Sequence, residues 1–312
     1  MRKELNRFLH YLNVEKGYSQ GTIGAYQLDI GNGLIPFLHK IQIATPSARN
    51  DTVEEVTRDD IRAYLDYAAV EKGNSGVTRA RKLAAIKSFF NYLVENEELK
   101  ANSAASIKSP RIPEKEPVYL SEQECLRFLE TIAQKAKPQV RERDMAIAIL
   151  FLHAGLRVSE LTNLKLTNVD LHGQQVKITR KRNKEQYLHL NGEAAAALAN
   201  YLANRPQAQN GSFFVGTNGS NLTRSYVYGS IRRYLKLAGI DKGKRGPHIL
   251  RHTFCTRLHQ KGVTPFTIKD LAGHKSLNTT MRYVRIENKE QAEAVDRLEF
   301  GAANSWYNNG NE

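Results

Sequence analysis

The sequence has few cysteines, no long apolar run and fewer acidic than basic side chains. Its two cysteines, Cys125 and Cys255, lie far apart in 312 residues. They suggest no disulfide framework, which is typical of a reducing cytoplasm. No apolar stretch approaches the ~18 residues that a bilayer span requires, and the N-terminus does not resemble a signal peptide. We therefore expect a soluble cytoplasmic protein that does not bind membranes.

The shortage of acidic residues points to a class of partner. Lysine and arginine outnumber aspartate and glutamate by 46 to 32, and the pI is near 9.7. Residues 1–110 carry 15 basic and 13 acidic side chains, so the remainder carries 31 and 19. Such a surplus can simply serve solubility, but it is also typical of proteins that bind a polyanion, most often nucleic acid. The second part of the chain would make the larger share of such contacts.

Periodicity and proline content divide the chain into two domains. Residues 1–107 show helical spacing, as at Leu5, Phe8 and Leu12, and no convincing strand. Three prolines between residues 110 and 117 predict a linker at 108–118. Residues 119–300 combine helices with one β-hairpin around 175–190, and the polar tail 301–312 is predicted to be flexible. The fold class is therefore mostly α with a small β-hairpin or sheet in the second domain (α+β).

The stretch GPHILRHTFCTRL, residues 246–258, carries most of the chemical information. His248 and His252 are four residues apart on a predicted helix, which could be half of a metal site. The intervening residues offer no carboxylate, however, and Arg251 would place a fixed positive charge beside a dication. His248 and Arg251, three residues apart, suit an anion better. We expect no metal.

Three other segments offer matching groups. Arg157 follows Gly155 and precedes Glu160 by one helical turn. Each candidate alone has an ordinary structural explanation, such as an exposed ion pair for arginine, a helix cap for histidine or core packing for tyrosine. Together they describe phosphoryl transfer, because arginines bind phosphodiester oxygens, histidines and lysines move protons, and a tyrosine can attack phosphorus. The remaining candidates are Lys181, His274 and Tyr283.

The order Arg, Lys, His-x-x-Arg, His, Tyr resembles the tyrosine site-specific recombinases of the lambda-integrase superfamily. The resemblance is strongest to the Xer-type enzymes and the short phage or transposon integrases, and it covers residues 1–300. It is carried by GLRVSEL, NKEQYLHL, PHILRHTFCTRL and LAGHKSLNTTMRY in the second domain and by TRARKLAAIKSFFNYL in the first.

The resemblance implies a role for each matching residue. Arg157 and Arg251 would bind the scissile phosphate, and Glu160 would support Arg157. His248, as proton acceptor, and His274 would complete the pocket. Lys181 would protonate the leaving 5′-hydroxyl, although Lys177 and Lys184 lie close by. Where relatives often carry Gly-Lys-Gly in the hairpin, this chain has Arg180, Lys181 and Arg182. Tyr283 would attack to form a 3′-phosphotyrosine link, with no cofactor.

The resemblance also implies how the protein meets its substrate. A helical core-binding, SAM-like domain and a catalytic domain would close around double-stranded DNA as a C-shaped clamp. A homotetramer on paired inverted half-sites would pass through a Holliday junction and exchange its C-terminal helices between subunits. The biological task would be chromosome-dimer resolution or mobile-element integration and excision, with or without a paralogous or accessory protein. The candidate DNA contacts are Arg79, Arg81, Lys82, Lys87 and Arg224.

Two other hypotheses use the same residues. A type IB topoisomerase shares this pocket, but it would act as a monomer with little site choice, and the short helical first domain argues against it. A DNA-binding regulator without catalytic activity would not need all six catalytic candidates, and all six are present in the sequence.

Overall fold

A computed structural model describes residues 1–44, 52–113, 117–180, 184–243 and 246–284. The contacts between residues divide the chain into two compact units, Met1–Glu114 and Lys115–Glu312. The predicted linker of 108–118 spans this division. Over the described ranges, no helix combines the length and the apolar character that a membrane crossing needs.

In the first unit, every regular element among the described residues is a helix or a helical turn. Its helices are α1 (Arg2–Val14), α2 (Gln20–Tyr26), a π-helix (Gln27–Leu34), α3 (Ile35–Ala44), a 3₁₀ turn (Val53–Glu55), α4 (Arg58–Val70) and α5 (Gly76–Glu95). The apolar stripe predicted for α1 faces the core, where Leu5, Phe8 and Leu12 are buried against α5. Thr57 caps α4 in a reciprocal pair with Asp60, as the sequence predicts.

The π-helix lies where the sequence predicts a looser, glycine-weakened helix. Tyr64 of α4 reaches into it and donates to the carbonyl of Asp29 at 3.2 Å. A side chain at Gly33 would overlap the Tyr64 hydroxyl. Gly33 therefore permits the close approach of α4 to the π-helix. The spacing of apolar residues in the sequence does not predict this contact.

The second unit surrounds helix α7 with further helices and one small sheet. Its helices are α6 (Glu122–Lys135), α7 (Pro138–Ala154), α8 (Val158–Thr162), a 3₁₀ turn (Leu166–Asn168), α9 (Gly192–Ala203), α10 (Arg224–Leu237), α11 (Pro247–Gln260), α12 (Pro265–Ala272) and α13 (Leu277–Val284). Helix α6 begins with a capping box of Ser121 and Glu124, a pattern that is visible in the sequence. The predicted tail 301–312 lies outside the described residues.

The predicted hairpin forms two strands of a three-stranded antiparallel sheet. The strands are β1 (Val169–Asp170), β2 (Gln175–Thr179) and β3 (Glu185–His189), paired in that order. Val176 pairs with Leu188, and both face the core. At the far end of the hairpin the backbone N–H of Arg180 donates to the carbonyl of Lys184 at 2.8 Å. Strand β1, with two residues, is too short to show an alternation in the sequence.

A buried polar network crosses the core of the second unit. Asp144 of α7 is 1% exposed and accepts from the guanidinium of Arg143 and, at 2.8 Å, from the hydroxyl of Tyr234. Burial and the Asp144 charge raise the pKa of Tyr234. Arg143 also donates to the carbonyl of Val215 at 3.1 Å. The network ties α7 to α10 and to the segment before it.

Removing Asp144 leaves the Arg143 charge buried without its partner. We expect Asp144→Ala to lower the free energy of unfolding by about 3–5 kcal/mol, the usual cost of breaking a buried pair. The matched control, Glu130→Ala on the exposed face of α6, should change it by less than about 0.5 kcal/mol. Urea denaturation of the three proteins measures both values, and equal midpoints would contradict this view of the network.

Candidate active site

Arg157 is positioned by the end of α7. Gly155 terminates that helix in the left-handed conformation, φ +58°, and a side chain there would overlap Phe254. The chain then enters helix α8, and Arg157 occupies the N-cap position of that helix. Glu160 accepts from the Arg157 backbone N–H at 2.8 Å and from its guanidinium at 2.7 Å. The buried carboxylate thus fixes both the helix start and the side chain.

Arg251 is more deeply buried and joins two helix ends. It lies on α11, is 7% exposed, and donates to the carbonyls of Gly155 and Ala272. Burial, with the nearby Arg157 charge, lowers its pKa. The two carbonyls stand at helix C-termini, where the backbone carries partial negative charge. Arg251 therefore holds the ends of α7 and α12 beside each other.

His274 follows the end of α12. Gly273 terminates the helix with φ +63°, and its carbonyl accepts from Arg157 at 2.6 Å. The Nδ1 atom of His274 shares a hydrogen bond of 2.8 Å with the hydroxyl of Thr280. Burial, Arg251 and Arg157 lower the pKa of His274 to about 4, so its ring is neutral at neutral pH.

Tyr283 lies on α13 against the same cluster. Its side chain is 3% exposed, and its hydroxyl shares a hydrogen bond of 2.7 Å with Nδ1 of His252. Its ring stacks near His274, with centroids 6.2 Å apart. Burial, with the neighbouring Cys255, raises the pKa of the phenol. The hydroxyl is therefore protonated in this arrangement.

The structure gives His248 a hydrogen-bond partner other than Tyr283. His248 is exposed, and its Nε2 shares a 2.7 Å hydrogen bond with the hydroxyl of Tyr228. The histidine at the Tyr283 hydroxyl is His252, one helical turn later, which the sequence suggested only as part of a rejected metal pair. Lys181 lies outside the described residues.

Arg180 joins the site, although the sequence pattern gave it no role. It donates to the carbonyl of Leu271 at 2.7 Å. Its guanidinium covers Gly273 so closely that a side chain there would overlap it. The cleft that it enters is also lined by Arg157, His274 and Lys275. The only signal in the sequence was its place directly before Lys181.

The charges of the site do not balance. Within the described part of the chain, Glu160 is the sole carboxylate that pairs with any of the three arginines Arg157, Arg180 and Arg251. Both His274 and Tyr283 are neutral at neutral pH. The surplus of guanidinium groups in a partly buried cleft suits a bound anion such as a phosphodiester. No group of three or more metal-ligating side chains occurs among the described residues.

Three of the four predicted DNA contacts of the first unit have partners within that unit. Asp29, 1% exposed, pairs with both Arg81 and Lys82. Lys82 also donates to the Tyr64 hydroxyl at 3.0 Å, and Lys87 donates to the carbonyl of Ala105 at 2.9 Å. In the second unit Arg224 is exposed at the first turn of α10. Arg79, on α5, is partly buried.

Comparison with known proteins covers both units. Residues 119–290 match the Phage integrase family, and residues 5–97 match the Phage integrase, N-terminal SAM-like domain. The chain is 31% identical over 311 residues to the tyrosine recombinase XerC of Caldanaerobacter subterraneus subsp. tengcongensis, covering 94% of this chain and 86% of that protein. It is 33% identical over 293 residues to XerC of Herpetosiphon aurantiacus, covering 92% of each.

A solved structure has a similar fold. The XerH site-specific recombinase bound to its difH substrate, in a pre-cleavage complex, superimposes with a TM-score of 0.73 at 22% identity. The match covers 95% of this chain and 85% of that one.

The lowered pKa of His274 predicts how stability changes with pH. Since the unfolded histidine titrates near 6.5, the unfolded chain binds a proton between pH 6.5 and about 4 that the folded chain does not. The free energy of unfolding should therefore fall as pH falls through this window. Between pH 7 and 5 the loss should be up to about 2 kcal/mol smaller in His274→Gln than in the wild type. Urea denaturation at both pH values measures it, and identical losses would contradict the prediction.

Proposed function

The chain belongs to the phage integrase family of tyrosine recombinases, and we propose on this premise that its second unit cleaves and rejoins DNA strands through Tyr283. The protein is an enzyme of site-specific DNA recombination, which serves either chromosome-dimer resolution or integration. One observation carries the proposal. Arg157 and Arg251 both donate to carbonyls at the end of α12, directly before His274, and the Tyr283 ring on the next helix, α13, stacks near His274.

The proposed cleavage is a transesterification. The Tyr283 oxygen attacks the scissile phosphorus, the bond from phosphorus to the 5′ oxygen breaks, and a 3′-phosphotyrosine ester forms. Arg157 and Arg251 neutralise the charge that develops on the non-bridging oxygens. Lys181 gives a proton to the leaving 5′ oxygen. The ester keeps the energy of the broken bond, so attack by a 5′-hydroxyl of the partner strand reverses the step.

The proton of Tyr283 must leave as the new bond forms, because a buried phenol with a raised pKa is a weak nucleophile. His252 contacts the hydroxyl and holds it in its resting position. His248, one turn earlier on α11, takes the proton once the substrate phosphate is bound, and His274 donates to a phosphate oxygen. A bound phosphate would favour the protonated form of His274, which the arginines now disfavour.

DNA is the proposed partner of both units. The XerH structure contains its DNA substrate, and the net charge of this chain is +14. Two units would enclose a duplex with paired inverted half-sites, and four subunits would assemble for strand exchange through a Holliday junction. Arg224 is the best placed of the predicted contacts, since Arg81 and Lys82 are bound to Asp29.

The competing functions predict different products. A type IB topoisomerase would link to DNA at scattered sequences, and a regulator would bind DNA without linking to it. The XerC relatives align with both units at 92% coverage or more of this chain, which supports the recombinase.

Covalent capture tests the nucleophile. The protein is incubated in EDTA with sheared DNA of its source organism, the mixture is stopped with detergent, and the ends of linked fragments are sequenced. We expect linked DNA with one common end sequence, and none with Tyr283→Phe, which retains DNA binding. The control Tyr18→Phe, at an exposed tyrosine of the first unit, should link as the wild type does. Scattered ends, or linkage by Tyr283→Phe, would contradict the proposal.

Deletion tests the proposed exchange of the C-terminal segment, which lies outside the described residues. Removing residues 290–312 should weaken assembly on paired sites by at least about tenfold and leave binding to one half-site unchanged. Removing 301–312 alone serves as the control and should change neither. Gel-shift titrations with half-site and paired-site duplexes measure both, and normal recombination by the longer deletion would refute the exchange.

A further inference from the structure

Arg180 has the surroundings of a ligand-binding side chain rather than those of a structural one. Among the described residues, its guanidinium makes one hydrogen bond, to the carbonyl of Leu271. The Nε and Nη1 atoms are buried and have no hydrogen-bond partner within the same part of the chain. Burial and the charges of Arg157 and Arg251 lower its pKa to about 10. Buried N–H groups of a cation are costly to leave unpaired, so an anion bound at this position would be stabilised by them.

A structural arginine in the same unit shows the difference. Arg143 is buried beside a carboxylate, and it donates to Asp144, to a backbone carbonyl and to a tyrosine hydroxyl. Arg180 pairs with no carboxylate among the described residues. Its cleft is lined by four further basic side chains and two carboxylates, so an anion would meet a surplus of positive charge. The basic residues are Arg157, Lys184, Lys269 and Lys275, and the acidic ones are Glu185 and Asp270.

We propose that Arg180 is a third phosphate-binding arginine of this active site, contacting the scissile phosphodiester together with Arg157 and Arg251. This inference rests on the proposed recombinase function. The unpaired Nε and Nη1 atoms lie at Gly273, whose carbonyl Arg157 also contacts. One phosphate at this glycine would be within reach of both side chains.

The position of Arg180 in the hairpin gives the contact a second consequence. Arg180 ends the β2 side of the hairpin, and its backbone is paired across to Lys184. Lys181, the proposed general acid, is the next residue. A phosphate bound by Arg180 would therefore hold the end of the hairpin at the substrate during the step in which Lys181 protonates the leaving 5′ oxygen.

The inference is tested by removing the charge on each side of the contact in turn. The substrate is a duplex with the site recovered by covalent capture, made with a natural scissile phosphodiester or with a methylphosphonate, whose methyl group replaces one charged oxygen. The proteins are the wild type, Arg180→Gln, which can still donate to the Leu271 carbonyl, and Arg180→Lys. Arg127→Gln, at an exposed arginine of α6, is the control for net charge. Single-turnover formation of the covalent complex is measured.

We expect Arg180→Gln to slow cleavage of the phosphodiester by about 10²-fold, the usual effect of removing one donor to a developing charge. Arg180→Lys should recover part of the rate, and Arg127→Gln should match the wild type. On the methylphosphonate, Arg180→Gln and wild type should differ by less than about threefold, because little charge remains for the guanidinium to neutralise.

Two results would overturn the inference. An unchanged rate of Arg180→Gln on the phosphodiester would show that the contact is not made. If Arg180→Gln slowed cleavage of both substrates equally, and Arg180→Lys recovered none of the rate, Arg180 would have a structural role. Thermal melting of each variant shows whether it is folded. If the wild type itself cleaves neither substrate, the recombinase proposal fails, and this inference fails with it.

Discussion

The site depends on the two hydrogen bonds that Arg251 donates to backbone carbonyls. They bring the end of α7, at Gly155, beside the end of α12, at Ala272. Both helices end with the same pair, Ala-Gly, whose glycine takes the left-handed conformation. A predicted catalytic residue follows each glycine, Arg157 after the first and His274 after the second. The buried Arg251 side chain thus stabilises the C-terminal ends of both helices and holds the residues that follow them, Arg157 and His274, near each other.

The same arrangement sets the protonation states of two groups of the candidate site. Burial, with the arginines, keeps His274 neutral by lowering its pKa, and burial keeps the Tyr283 phenol protonated by raising its pKa. A phosphodiester would change both conditions, since its negative charge offsets the guanidinium groups and favours a protonated histidine. In the proposed mechanism, an anionic substrate would therefore complete this cationic cleft, and its binding would also activate the two groups.

Local signals in the sequence predicted much of the fold. Ser121 and Glu124 mark a helix start because the capping box depends on neighbouring residues alone, and alternation at Val176 and Leu188 marks the hairpin. The π-helix was missed because it depends on Tyr64 packing at Gly33, from a distant helix. The residues of the candidate site were proposed from the order of residue types along the chain. Its contacts did not, since the partners of His252 and Arg180 come from segments 31 and 91 residues away.

The most direct test of the central claim is to identify the amino acid that carries DNA. Covalent complexes would be digested with protease and nuclease, and the modified peptide sequenced by mass spectrometry. We predict one modified residue, Tyr283, joined through a 3′-phosphate and leaving a free 5′-hydroxyl on the other fragment. A link at another residue, or through a 5′-phosphate, would contradict the account, because the arginines and His274 would then surround the wrong side chain or the wrong oxygen.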